Sequence, residues 1–156
     1  ACETLDGARV DWVPVYLNTN PAFVKEGSAS IKRQNAMDLQ WFALQFEATD
    51  ISDFMENGYL HLWVYVTDYN LSSVNGQIEI SSSGYADTNE LHWNVADYII
   101  GTGWNEVFVP LSQGIENQAD APFDPTQLKF IRIFVPTTDG KYNTVYIDDI
   151  YFCTMK

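Results

Sequence analysis

Residues 59–66 constrain the fold more than any other stretch, because bulky strand-forming side chains alternate there between two kinds. Leu60, Leu62, Val64 and Val66 fall on one face of an extended strand, whereas His61, Trp63 and Tyr65 fall on the other. The first face is purely aliphatic and predicts a packed core. The second face is aromatic but carries polar groups. Such a strand needs a core on one side and, on the other, a second layer or a surface that binds something.

The same alternation recurs along the chain, and turn residues (Gly, Asn, Asp and Pro) separate the segments. No stretch of 11 or more residues has a helical period. We therefore predict an all-β fold, a two-sheet antiparallel β-sandwich, formed by a single domain over residues 1–156. Pro110 predicts that its strand lies at an edge or ends there. The other predicted strands cover residues 29–32, 39–46, 77–81, 90–95, 106–111, 128–135 and 144–152.

The net charge of −13 limits the partners that the chain can have. It would repel nucleic acid and anionic membranes, and it suits neutral ligands or cations such as Ca²⁺. No apolar run approaches the roughly 18 residues of a membrane span. The two cysteines, Cys2 and Cys153, stand at opposite ends of the chain. They allow a disulfide between the termini, two unpaired thiols, or a lipid attached to Cys2. The composition favours a secreted or cell-surface location.

Several short motifs follow one another in an order that resembles a known family. They are Glu26-Gly27-Ser28-Ala29-Ser30-Ile31-Lys32, residues 60–66, Gly76-Gln77-Ile78-Glu79-Ile80, Gly103-Trp104-Asn105-Glu106-Val107, Ile131-Arg132-Ile133 and Ile147-Asp148-Asp149-Ile150. Together they resemble a jelly-roll carbohydrate-binding module of bacterial polysaccharide-degrading enzymes, over essentially the whole chain. The resemblance implies a jelly roll of two antiparallel sheets. It also implies non-catalytic binding of a plant-type polysaccharide or oligosaccharide, within a larger multimodular enzyme whose substrate the module targets.

The resemblance further implies a structural calcium ion near the chain ends. Carried over by motif, its ligands are the Glu26 side chain, the Ser28 carbonyl and either Asp148 or Asp149. Glu3 and Asp6 both fit the N-terminal contribution. A physical reason to expect a cation is independent of the family resemblance, because a strand with two adjacent aspartates must pair their charges or expose them.

Strand parity also predicts a ligand face. Sugars need aromatic rings for stacking and planar polar side chains for their hydroxyls. If the apolar residues of three predicted strands point inward, one sheet presents a mixed aromatic and polar set outward. That set comprises His61, Trp63, Tyr65, Gln77, Glu79 and His92, with Arg132 joining from a fourth strand. Trp41, Tyr85 and Trp12 are candidates at the rim of the site. The alternative for each aromatic residue is ordinary packing.

Two other functions compete with sugar binding. Glu79 and Glu90 resemble an acid pair for glycoside cleavage, but the Glu-x-Asp-x-x-Glu strand of jelly-roll glucanases is absent. Gln77, His92, Arg132 and Tyr65 resemble the residues of alginate-lyase jelly rolls in composition, yet the Gln-Ile-His motif of those lyases is replaced by Gln77-Ile78-Glu79. A surface adhesion or protein-docking sandwich is the other alternative. We expect a binding protein for a neutral glycan, and no enzyme.

Overall fold

The computed structural model describes residues 2–8, 15–37, 40–67, 76–117, 121–135 and 142–154. Its strands are β1 (Val15–Asn18), β2 (Ser30–Met37), β3 (Gln40–Thr49), β4 (Gly58–Val66), β5 (Gln77–Ser81), β6 (Glu90–Asn94), β7 (Gly103–Pro110), β8 (Ile115–Glu116), β9 (Leu128–Val135) and β10 (Tyr142–Thr154). Short 3-10 helices lie at Pro21–Phe23, Ser52–Phe54, Val95–Asp97, Leu111–Gln113 and Pro125–Gln127. No helix in this described part of the chain is long and apolar enough to cross a membrane.

The strands form two five-stranded sheets. The first sheet has the order β1-β2-β10-β4-β7, and the second has the order β3-β9-β5-β6-β8. Every strand pair in these sheets is antiparallel. The predicted all-β, two-sheet antiparallel sandwich is therefore confirmed. The strand that ends at Pro110, β7, lies at the edge of the first sheet, as a residue without a backbone N–H requires.

The core lies between the two sheets, and the predicted inward residues form it. Leu60, Leu62, Val64 and Val66 of β4 are completely buried, and Ile78 and Ile80 of β5 face them equally buried. A fully buried side chain of this size stabilises the fold by about 1.5–3 kcal/mol. The alternation of β4 thus fixes its orientation, since a slip of one residue would turn this apolar set outward.

The prediction that one sheet presents all of these ligand residues is wrong. Strand β4, which carries His61, Trp63 and Tyr65, belongs to the first sheet. Strands β5, β6 and β9, which carry Gln77, Glu79, His92 and Arg132, belong to the second. The two halves of the predicted set therefore lie on opposite outer faces of the sandwich. Alternation states which side chains point away from the core, but it does not state which sheet a strand joins.

Residues 2–8 connect the two sheets at one end of the sandwich. The Cys2 N–H donates to Asp148 Oδ1 in β10, at 3.0 Å, and Ala8 pairs with Leu44 at the edge of β3. Both cysteines are free thiols, so the unpaired alternative describes this structure. Burial raises the pKa of the Cys2 thiol to about 11, with the nearby Asp148 carboxylate adding to the shift. The N-terminal segment is held by hydrogen bonds in place of a disulfide.

Candidate functional site: the Arg132 face

The outer face of the second sheet, which we name the Arg132 face, gathers four predicted ligand residues. Strand register puts Glu79 of β5 directly between Arg132 of β9 and His92 of β6. Gln77 lies two residues along β5, on the same side. Gln77, His92 and Arg132 are each partly exposed. The sheet therefore presents amide, imidazole and guanidinium groups side by side.

Arg132 is the centre of this face, and its guanidinium is held by three acceptors. Its Nη2 donates to Gln77 Oε1 at 3.0 Å and to Asp87 Oδ1 at 2.8 Å. Its Nη1 donates to Asp87 Oδ2 at 3.3 Å. The Arg132 side chain remains 15% exposed, so part of its planar guanidinium group borders solvent. A guanidinium fixed in this way is a rigid donor for ligand oxygens, because little side-chain entropy remains to be lost on binding.

The connection between β5 and β6, residues 82–89, borders the Arg132 face and presents Tyr85, which is 56% exposed. Its conformation needs left-handed backbone at Gly84 and Asp87, with φ of 86° and 58°. The hydroxyls of Ser81 and Ser83 both donate to the Thr88 carbonyl, at 2.7 and 2.9 Å. These bonds hold the loop in one shape, so the exposed phenol ring of Tyr85 stands on a supported segment.

Glu79 and Glu90 lie under this surface, and neither is open to a ligand. Glu79 is 0% exposed, and Glu90 is also buried. The Asp87 N–H donates to Glu79 Oε1 at 2.9 Å, and His92 Nδ1 lies 3.0 Å from Glu90 Oε1. Burial raises the pKa of Glu79 to about 8; the neighbouring Glu90 carboxyl group adds to the shift, and the positive charge of Arg132 opposes it. Direct ligand contact by Glu79, as the sequence suggested, does not fit this burial.

The outer face of the first sheet, which we name the Trp63 face, is mostly packed against its own neighbours. His61 is 1% exposed, with Nδ1 3.0 Å from the Asp149 carbonyl and Nε2 3.3 Å from Glu106 Oε1. Lys25 Nζ lies 3.7 Å from the centre of the Trp63 ring. Tyr65 makes edge contacts with Phe23, Trp104 and Tyr146. Trp63 and Tyr65 pack against neighbouring side chains and remain partly exposed, whereas the burial of His61 is inconsistent with ligand contact.

Asp148, a predicted calcium ligand, is fully buried and accepts four backbone hydrogen bonds. Its Oδ1 accepts from Cys2 and Asp149, and its Oδ2 accepts from Lys25 and Glu26, all at 2.8–3.0 Å. Four N–H donors use the acceptor capacity of a carboxylate, so Asp148 in this arrangement does not fit a calcium ion as well. We name this set of bonds the Asp148 clasp.

The remaining predicted calcium ligands do not converge on one point. Glu3 accepts hydrogen bonds from the backbone N–H and hydroxyl of Ser28, and these bonds lower the Glu3 pKa. Asp6 accepts from Thr4, and Glu26 is exposed. Within the described residues, three acidic side chains meet closely enough to share an ion only at Glu79, Asp87 and Glu90. A guanidinium already occupies the edge of that group, since Arg132 Nη2 contacts two of the three.

Two rim candidates are not assessed by this structure. Trp12 lies outside the described residues, and only the backbone of Trp41 is described, where it pairs with Phe134 of β9. Asp87 is the residue of the Arg132 face that the sequence analysis did not select, although its carboxylate holds the guanidinium of Arg132. Its Asp87-Thr88-Asn89 sequence indicates a turn, but no local signal states that the turn folds back onto Arg132.

The two-sheet sandwich, with its polar outer face and exposed Tyr85, agrees with the jelly-roll carbohydrate-binding module that the sequence motifs resemble. The model of the family Carbohydrate binding domain 30 matches residues 7–154. The chain therefore belongs to this carbohydrate-binding family, and the predicted carbohydrate binding is confirmed.

Solved structures agree on the fold. A crystal structure of a family 30 carbohydrate-binding module superposes with a TM-score of 0.64 at 15% identity, covering 91% of this chain and 74% of that one. The family 30 module of a cellulosomal cellulase of Clostridium thermocellum gives 0.59 at 16% identity, covering 88% and 82%. A family 11 module from Clostridium thermocellum, in complex with a β-1,3-1,4-mixed-linked tetrasaccharide, gives 0.52 at 13% identity, covering 93% and 82%. No curated protein matches the chain.

Proposed function

We propose that the chain binds a neutral β-glycan on the Arg132 face and does not cleave it. The observation that carries this proposal is the guanidinium of Arg132, fixed by Gln77 and Asp87 beside a loop that exposes Tyr85. A guanidinium group held in this way donates to sugar hydroxyls, and an exposed phenol ring offers a stacking surface for a sugar ring. The net charge of −13 favours an uncharged glycan over a uronic or sulfated one.

Burial of the acidic residues supports binding without cleavage. Glycoside hydrolysis needs two carboxyl groups on either side of the scissile bond, both in contact with the substrate. Glu79 and Glu90 are the acidic pair of this face, and both are buried beneath it. Neither carboxyl group reaches a bound sugar without a rearrangement of the sheet. The same burial argues for a supporting role for these two residues.

The wider biological setting is also part of the proposal. The similar module of Clostridium thermocellum belongs to a cellulosomal cellulase, and a similar family 11 module was solved with a mixed-linked glucan fragment. We infer that this chain acts outside the cell, brings an attached or associated enzyme to a polysaccharide, and accepts a β-1,3-1,4-mixed-linked glucan as a first probe. The structural calcium near the chain ends also remains a prediction. With Asp148 engaged in its clasp, the ion would need Glu26, the Ser28 carbonyl, Asp149 and either Glu3 or Asp6 to come together from the separate positions that they have here.

Affinity electrophoresis tests the binding proposal. The protein is run through gels that contain mixed-linked glucan, mannan, xylan or galactan, and reducing and unsaturated ends are assayed in parallel. We expect retardation by at least one neutral glycan and no release of ends. Arg132→Ala should lose retardation, whereas Trp63→Ala, on the opposite face, should keep it. Retardation by no glycan would favour protein docking, and release of ends would make the chain an enzyme.

A further inference from the structure

Glu79 and Glu90 each have one buried carboxyl oxygen that receives no hydrogen bond from the described residues, and Arg132, which contacts Glu79, likewise has a buried Nε without a partner among them. Arg132 Nη2 lies 2.6 Å from Glu79 Oε2, yet its two hydrogens go to Gln77 Oε1 and Asp87 Oδ1. Within the described residues, Glu79 Oε2 therefore forms an ion pair without receiving a hydrogen bond. Glu90 Oε2 is likewise buried without a donor among the described residues. A buried oxygen left in this state is costly unless a proton supplies the missing bond.

The two deficient carboxyl groups are neighbours. They lie on adjacent strands of the second sheet, and oxygens of Glu79, Glu90 and Asp87 come within 4.8 Å of one another. The charged and titratable groups around Glu79 are Arg132 on β9, Glu90 and His92 on β6, and Asp87 on the 82–89 loop. Glu79, Glu90 and Asp87 place three carboxyl groups around the one guanidinium of Arg132, and His92 contacts Glu90 from the other side. One proton between Glu79 and Glu90 relieves both the charge and the missing hydrogen bond.

The pair also anchors the loop that borders the ligand face. Glu79 Oε1 accepts the Asp87 N–H, and Arg132 Nη2 bridges Glu79 to the Asp87 carboxylate. The ionisation of the pair therefore acts on Asp87 from two sides. A second negative charge beneath Asp87 would repel its carboxylate and draw the guanidinium of Arg132 away from it towards the sheet.

We propose that Glu79 and Glu90 are positioning residues that share one proton, and that the singly protonated pair holds the 82–89 loop and Arg132 in the glycan-binding arrangement. Loss of the proton in alkaline solution then weakens glycan binding. Consistent with this, burial raises the pKa of Glu79. The positioning of the 82–89 loop by Glu79 and Glu90 is argued from their burial and contacts alone, whereas the effect on glycan binding rests on the proposed function.

Two measurements test the shared proton and its effect on glycan binding. Carbon-13 NMR of the side-chain carboxyl groups follows the titration of Glu79 and Glu90 in EDTA, so that no cation competes for the carboxylates. Coupled groups lose their protons in two separate steps. We expect the pair to lose its shared proton above pH 7 and the first proton well below pH 7. Affinity for mixed-linked glucan is measured in parallel, and it should fall by about tenfold between pH 7 and pH 9.

Glu79→Gln is the informative variant, because its amide does not titrate. Its oxygen can accept from the Asp87 N–H, and its NH2 group, which takes the place of Oε2, can donate to Glu90 but no longer attracts Arg132 Nη2. The ratio of its affinities at pH 7 and pH 9 should be below about two. Glu90→Gln should give the same low ratio of affinities, and it serves as the test variant if Glu79→Gln does not fold. Glu116→Gln, which removes an exposed charge from β8 of the same sheet, is the matched control and should keep the tenfold ratio.

The outcomes separate this inference from the proposed function. If both carboxyl groups titrate below pH 6, the shared proton is overturned, even where the glucan binds normally. If Glu79→Gln keeps the wild-type dependence on pH, the positioning role is overturned. If no neutral glycan binds at any pH while the step above pH 7 is present, the shared proton stands and the proposed function fails.

Discussion

Replacing Asp148 with asparagine removes the acceptor that holds three segments of the chain together. Asparagine keeps one oxygen, but its amide nitrogen cannot accept, so one pair of N–H donors loses its partner. Hydrogen bonds to a charged group contribute about 1.5–3 kcal/mol each. Lys25 and Glu26 lie on an exposed corner, where water recovers part of this. We therefore expect a loss of about 3 kcal/mol in the free energy of unfolding, which for a chain of this size lowers Tm by roughly 6–12 °C.

Urea unfolding followed by tryptophan fluorescence, together with thermal melting, measures this loss. Both are done in EDTA, so that any bound cation does not contribute. Asp149→Asn is the matched control, since the neighbouring residue has a φ of 51° that asparagine adopts readily. It should cost less than about 1 kcal/mol. A loss below 1 kcal/mol for Asp148→Asn, or equal losses for both variants, would refute the clasp as the feature that holds the chain ends.

Three further predictions concern the cation, the loop and the buried pair. Addition of calcium after EDTA treatment should raise the Tm of the wild type if the predicted ion is present, and an unchanged Tm contradicts it. Tyr85→Ala should weaken glucan binding by about 3- to 10-fold through loss of ring stacking, while Tyr16→Ala, an exposed tyrosine of the first sheet, should not; equal effects contradict the Arg132 face. Because the pKa of Glu79 is raised from 4.5 to about 8, its contribution to stability is complete below pH 4.5 and is lost as pH rises through 8. Glu79→Gln should therefore lose less stability than the wild type between pH 5 and pH 9 in urea unfolding, and parallel losses contradict the shift.

The fold was largely predictable because period-two alternation is a local property. Leu60 and Leu62, or Ile78 and Ile80, report their own burial through spacing alone, and the structure buries all four. The allocation of strands to sheets depends instead on pairing between distant segments. Strand β4 pairs with β10, roughly 85 residues later, and no local pattern specifies that partner. This is why the predicted ligand set was divided between two faces.

The candidate site was predictable in its residue types but not in its contacts. Gln77, His92 and Arg132 were selected by parity, and they share one face. Glu79 was selected by the same rule, yet the 82–89 loop folds over it and makes it a buried anchor. The same error affected His61, which points away from the core but is covered by side chains of the neighbouring strands of its own sheet. Parity gives the direction of a side chain, whereas accessibility depends on what the loops and neighbouring side chains cover.

The location of the bound glycan decides whether the Arg132 face or the Trp63 face is the binding site. Backbone amide NMR spectra of the intact chain are recorded during titration with a β-1,3-1,4-mixed-linked glucan oligosaccharide, or with whichever neutral glycan retards the protein most. We expect the amides of Gln77, Asp87, His92 and Arg132 to shift with the ligand. Shifts confined to Trp63, Tyr65 and Trp104 on the opposite face would contradict it.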